Sequence, residues 1–269
     1  MTALSMIWLL GCAPPAADVS WTRPPPTPVD TPVWPAPGAP LTILPERAPR
    51  NERRLTVFLV AGHGNGDKQG NTGVHGQIEA TVALQTVSAL AERLESLDRF
   101  DVILGRQGDA RPSYPERLEH AERVGADVFI ELHTDSRGDT WAWADLPDGE
   151  AYRAEGDAGF AVLFNEGSEL GPKRRALARA TANALSEAGF PAYPGCHYGG
   201  LYDPDSTPGV FIDRRGLMML RRPTAPSIII ETHNAKDFDE SLRWREEATL
   251  DAFSSGIADA LLRYRPTGP

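Results

Sequence analysis

Leu55-Thr-Val-Phe-Leu-Val-Ala-Gly-His63-Gly-Asn-Gly66 is an apolar run that stops in three glycines and one histidine. Leu55, Val57, Phe58, Leu59 and Val60 are too continuously apolar for a strand with one wet face, which suits a parallel sheet covered on both sides. Gly62, Gly64 and Gly66 let the chain turn sharply and approach a bound group closely. In open α/β sheets ligands sit beyond the carboxyl ends of the strands, so this reading places chemistry at His63.

Outward from that stretch, strands and helices alternate. The spacing of Ile78, Val82, Val87, Leu90, Ala91 and Leu94 predicts a helix from about Gln77 to Leu97. A strand follows at Phe100–Leu104, then a helix from about Pro115 to Val124 with Gly125 as its stop, then the strand Val128-Phe-Ile-Glu-Leu-His133. After an irregular stretch from Ser136 to Gly171, a helix is expected from about Pro172 to Ala188, ended by Gly189. Pro226-Ser-Ile-Ile-Ile-Glu231 is the last strong strand, and Asp237-Phe-Asp-Glu240 resembles a capping box that opens one long C-terminal helix to about Tyr264. This order predicts a single α/β domain with a mostly parallel twisted sheet flanked by helices.

Three residues at or beside strand ends form a ligand set. His63 closes the first strand, Glu79 opens the following helix and His133 closes another strand. Zinc takes imidazole nitrogen and carboxylate oxygen, and a catalytic zinc keeps three protein ligands with the fourth place open. Glu231 ends a buried strand, where an unpaired carboxylate is costly, and this suits a group that accepts a proton from water. Each residue alone is weak, since a strand-end histidine is more often satisfied by a backbone carbonyl; the combination of four carries the reading.

From about 55 to 262 the chain resembles the zinc-dependent N-acetylmuramoyl-L-alanine amidases of the amidase-3 type, which hydrolyse peptidoglycan. Gly62-His63-Gly64 with Asp67, Glu79 at the next helix, Arg106-Gln-Gly-Asp109 with Arg117, and Ala126-Asp-Val-Phe-Ile-Glu-Leu-His133 carry the resemblance. Leu220-Arg221 followed by Pro226–Thr232, with Asn234, completes it. The resemblance implies that His63, Glu79 and His133 bind zinc and that Glu231 is the general base. The bond cleaved would join N-acetylmuramic acid to the L-alanine of the stem peptide. Ala61 replaces the usual proline, Asp135 the usual asparagine after the second histidine, and His233-Asn234 the usual Gly-Phe. The competing functions are a zinc amidohydrolase or carboxypeptidase on a small acyl-amino acid, and a catalytically silent peptidoglycan-binding lipoprotein.

Several residues stay open at this level. His75 reads as a solvent-facing loop residue or a substrate contact. His233, two past Glu231, shares its face if the strand continues, and would then stabilise an oxyanion. Cys196-His197 offers too few ligands to close a metal site, and Cys196 reads as a lone thiol. Tyr193–Asp205 reads equally as a groove lining or a packed surface loop. Ala151–Glu155 and Phe160–Phe164 read as a lid over the zinc, which some relatives hold until a partner removes it, or as an extra hairpin at the sheet edge, the preferred reading. Any activating partner remains unidentified.

Before the domain lie two other segments. Residues 1–11 resemble a lipoprotein signal peptide, with Leu9-Leu10-Gly11 before Cys12, which would become the lipidated first residue anchoring the chain to a membrane. Ala13, rather than Asp, points to the outer membrane of a cell envelope, with the domain facing the periplasm. Residues 12–50 hold about half of the 24 prolines and read as a tether. In extended polyproline form some 38 residues reach on the order of 100 Å. The catalytic domain is then 51–269. A formal charge of −10 with no basic cluster argues against a nucleic-acid binder.

Overall fold

Alternation along β1 (Leu55–Ala61) sorts its side chains between two cores. Val57, Leu59 and Ala61 enter one cluster, Phe58 and Val60 another, and none of the five exposes any surface. This is the two-sided burial that an uninterrupted apolar run requires, and each large side chain so buried contributes about 1.5–3 kcal/mol. The computed structural model describes residues 39–46, 53–146, 149–154 and 158–264. The signal segment, Cys12 and most of the proline-rich tether lie outside the described residues.

After β1 come α1 (Glu79–Ser96), β2 (Phe100–Leu104), α2 (Tyr114–Arg123) and β3 (Val128–Asp135), within two residues of the expected starts and ends. Ser113 caps α2: its side chain accepts the amide of Glu116, whose carboxylate reaches back to the amide of Ser113. The stretch read as irregular holds three strands. Two form a separate antiparallel hairpin, β4 (Trp141–Leu146) and β5 (Gly149–Arg153); the third is β6 (Ala161–Phe164). Then follow α3 (Gly171–Glu187), β7 (Tyr202–Pro204), β8 (Val210–Asp213), α4 (Met218–Arg221), β9 (Ser227–Asn234), α5 (Phe238–Arg243) and α6 (Glu247–Tyr264).

The main sheet has the order β2-β1-β3-β9-β6-β8-β7. The first four strands are mutually parallel, β6 is parallel to β8, and β6 and β9 meet antiparallel. Phe160–Phe164 was expected in a lid or an edge hairpin, but β6 is an inner strand between β9 and β8. Its four residues are buried, and pairing with β8 and β9 leaves β6 no open backbone edge. Helices α1, α3 and α6 cover one face; α2 and the aromatic segment around Tyr193, Tyr198 and Tyr202 cover the other.

The expected single C-terminal helix is two. Asp237 caps α5 by accepting the amide of Glu240 at 2.8 Å, but Glu240 does not return to Asp237. Its carboxylate accepts the amides of Gly159 and Asn234 instead, both at 2.9 Å. The helix breaks at Trp244, whose ring is buried against His233, Phe190 and Phe253. The end of the tether is also part of the body. Residues 39–46 lie across the helical face: Thr42 donates to Ala188 O, Leu44 donates to Ser255 Oγ, and the Leu44 side chain joins the core.

Candidate metal centre

Parallel pairing brings the carboxyl ends of β1, β3 and β9 to one rim. There Ala61 stands opposite Leu132 and His133 opposite Glu231. Just past β1, His63 sits at φ 55°, a left-handed conformation that costs a residue with a Cβ about 1–3 kcal/mol. Two buried arginines hold it there through backbone carbonyls. Arg117 donates to Ala61 O at 2.9 Å and His63 O at 2.6 Å, and Arg106 bridges the loop to α1 by donating to Gly62 O at 3.4 Å and Ala80 O at 2.7 Å. The loop also needs its glycines: a Cβ on Gly62 would stand 2.4 Å from the His133 ring, and one on Gly70 would stand 2.4 Å from Glu79 Oε2.

Glu79, the first residue of α1, crosses the rim to both histidines. Its Oε1 lies 3.1 Å from His63 Nε2 and 2.9 Å from His133 Nδ1. Asn71 supports it, donating through backbone and side-chain amides to Oε2. Burial alone would raise the Glu79 carboxyl, but the hydrogen bonds from His133 and His63 outweigh that and hold it well below its usual range. Burial would lower His133, yet the carboxylates of Glu131, Glu79 and Glu231 raise it well above the usual imidazole range. The negative charge that keeps a proton on His133 would equally favour a cation between the rings.

The three residues fit zinc. Their donor atoms all lie within 4.8 Å of one another, and no other such cluster of three or more His, Cys, Asp or Glu occurs among the described residues. Tetrahedral bonds of about 2.0–2.2 Å place ligand atoms about 3.3–3.5 Å apart, close to the two measured separations. Two nitrogens and one carboxylate oxygen are the donor types that this metal takes.

Glu231 is half-buried beside His133 in the sheet, and its Oε2 is buried without a hydrogen-bond partner. Burial and the nearby Asp135 push its carboxyl up to about 8, against the pull of His133. A proton affinity in that range suits a group that takes and returns a proton near neutrality. Asp135 is engaged in turn by Arg137 Nε at 2.7 Å and by the Tyr198 hydroxyl, which donates to it. Arg137 lies over the Tyr193 ring at 4.1 Å. Of the Tyr193–Asp205 stretch, Tyr193, Tyr198 and Tyr202 pack in the second core, with Tyr198 reaching the network beside Glu231.

His233 does not share the Glu231 face. The pairing of β3 with β9 shifts between His133 and Asp135, which pairs with Asn234, and this bulge turns His233 to the other side. There it stacks on Trp244, ring centroids 5.1 Å apart and planes 12° from parallel. It is no oxyanion donor. Instead it lines a cavity of about 550 Å³ with Trp244, Gln77 and Ser241. His75 also lies apart from the metal cluster: its Nε2 is 3.1 Å from Phe238 O, and its ring packs on Phe238 and towards Trp143 of the hairpin. Cys196, read as a lone thiol, is disulfide-bonded. The sequence reading passed over Glu131, which lies 3.4 Å from His133 Nε2. The signal was present, since two residues before a strand-end ligand is the same face.

The protein family described as N-acetylmuramoyl-L-alanine amidase matches residues 57–263. A curated relative, N-acetylmuramoyl-L-alanine amidase CwlM of Bacillus licheniformis, is 31% identical over 87 residues, 32% of this chain and 34% of that protein. The chain thus matches about a third of the length of this relative. Among solved structures, amidase AmiC2 of Nostoc punctiforme superposes with a TM-score of 0.57 at 24% identity, covering 78% of this chain and 96% of that one. Ami1 of Mycobacterium smegmatis gives 0.63 at 18% identity, covering 80% and 98%. These two likenesses show the fold.

Proposed function

The chain belongs to the N-acetylmuramoyl-L-alanine amidase family, and on that premise we propose that it is a zinc-dependent hydrolase of the amide between N-acetylmuramic acid and L-alanine in peptidoglycan, acting in cell-wall remodelling. The observation that carries the reading is the placement of Glu231 directly across the sheet from His133, beside three donors within 4.8 Å of one another. His63, Glu79 and His133 would hold the zinc. When bound, zinc supplies Lewis-acid polarisation of the amide carbonyl and makes a water more acidic.

The remaining work falls to the chain. Glu231 takes a proton from the attacking water and returns it to the departing amine nitrogen, which lets the carbon–nitrogen bond break without expelling an amide anion. Asp135 keeps its neighbour's proton affinity high, and Arg137 and Tyr198 fix Asp135 in place. Arg117, bonded to the carbonyls of Ala61 and His63, and Arg106, bonded to that of Gly62, keep the His63 loop in its strained conformation, so that one ligand is already positioned before substrate arrives.

Lipidation of Cys12 would anchor the chain to the outer membrane, facing the periplasm. Since residues 39–46 lie on the domain, about 26 residues remain as spacer, on the order of 80 Å in polyproline form. Digesting purified sacculi with the protein tests the whole reading. Release of intact stem peptides with a free L-alanine amine supports it; trimming of the peptide, or sacculus binding with no release, refutes it.

A further inference from the structure

The proposed chemistry leaves one buried carboxylate unused. Glu131 lies two residues before His133 in β3 and so faces the same side of the sheet. It is 1% exposed, and neither oxygen has a hydrogen-bond partner among the described residues. Its neighbours across the sheet, Val60 and Ile229, are apolar. A carboxylate in that setting costs several kcal/mol unless another group compensates it. Fully buried Arg117 supplies charge, but it directs Nε, Nη1 and Nη2 at the carbonyls of Pro112, Ala61 and His63. An imidazole nitrogen stands beside it: His133 Nε2 is 3.4 Å from Glu131 Oε1.

The two nitrogens of His133 are thus divided between two carboxylates. Nδ1 is 2.9 Å from Glu79 Oε1, on the side of the ligand cluster, and Nε2 faces Glu131. We propose that Glu131 is a positioning residue for the metal centre: it holds the His133 ring with its proton on Nε2, so that Nδ1 presents its lone pair to a zinc shared with Glu79 and His63. A carboxylate behind a ligating histidine fixes the ring's orientation and tautomer and makes the ligating nitrogen more basic. Losing such a partner typically weakens metal binding by about 10- to 100-fold. This assignment rests on the zinc reading, and it explains why a charge persists where the strand otherwise buries apolar groups.

The test pairs zinc affinity, by competition with a chromophoric chelator, with nitrogen and carbon NMR of the His133 ring in zinc-loaded protein. Wild type should show zinc on Nδ1 and a slowly exchanging Nε2 proton. Glu131→Ala should weaken zinc by about 10- to 100-fold and speed exchange of that proton. Glu131→Gln, which keeps an acceptor without the charge, should retain the tautomer and recover part of the affinity. A purely structural role would lower the melting temperature of Glu131→Ala but leave zinc affinity within about twofold, and that result overturns the proposal. So does zinc on Nε2 in wild type, a reading that stands even if Glu131→Ala fails to fold. Wild type that binds no zinc overturns the metal reading together with this one, whereas tight zinc binding without sacculus hydrolysis sinks only the proposed function.

Discussion

Replacing His233 by phenylalanine should remove one proton from the acid unfolding of this protein. The ring is 3% exposed and stacked on Trp244, with Nδ1 2.9 Å from Thr232 Oγ1. Burial first, and the charge of Arg137 second, pull its pKa from 6.5 down to about 3. The unfolded imidazole therefore binds a proton near pH 6.5 that the folded one refuses until about pH 3. Between those values the unfolded state holds one more proton, so stability is fully present above about pH 6.5 and is lost as pH falls. At about 1.4 kcal/mol per unit, going from pH 6.5 to 4.5 should cost about 2–3 kcal/mol through this residue alone. Phenylalanine keeps the stack and cannot take the proton. Urea unfolding of metal-free wild type and His233→Phe from pH 7.5 to 4.5 measures the difference, in which the carboxylates common to both largely cancel. Equal slopes for the two proteins, or an NMR titration of His233 near pH 6.5, would refute the reasoning.

Other perturbations separate holding the metal from using it. Glu231→Gln should keep zinc near the wild-type content and lower turnover by about 10²–10⁴, the usual share of a positioned general base; His133→Ala should lose zinc and recover some activity in excess metal, and the reverse pattern in zinc content would show the roles exchanged. Gly62→Ala should leave the circular dichroism spectrum unchanged but weaken zinc binding, because its Cβ would meet the His133 ring at 2.4 Å and push it aside; unchanged affinity would mean that the ring does not serve as a ligand. Cys12→Ala should release the protein from membranes with unchanged kcat and KM, and retention in the membrane fraction would refute the lipid anchor. With two cysteines in the chain and Cys196 disulfide-bonded, a thioether at Cys12 and an intrachain disulfide exclude one another, so the mass of the mature protein shows which forms.

The sequence alone determined the parallel half of the sheet, because period and composition are local: Leu55–Val60 is apolar without interruption, and only two-sided burial accommodates that. It also marked His63, Glu79, His133 and Glu231, since strand ends and helix starts can be located in one dimension and rim positions follow from them. What it did not decide depends on pairing between distant segments. The place of β6 inside the sheet is fixed by its partners β8 and β9, which come about 50 and 70 residues later. Simple alternation would put His233 on the Glu231 face only if the strand continued regularly; the shift in pairing with β3 exchanges its face, and only β3 supplies that shift. The capping box at Asp237 failed for the same reason, as Glu240 finds better donors in Gly159 and Asn234 than in its own helix start. Tertiary structure also turned Glu131 from one letter of an apolar strand into the carboxylate behind a ligand, because whether a buried charge is compensated depends on what folds against it.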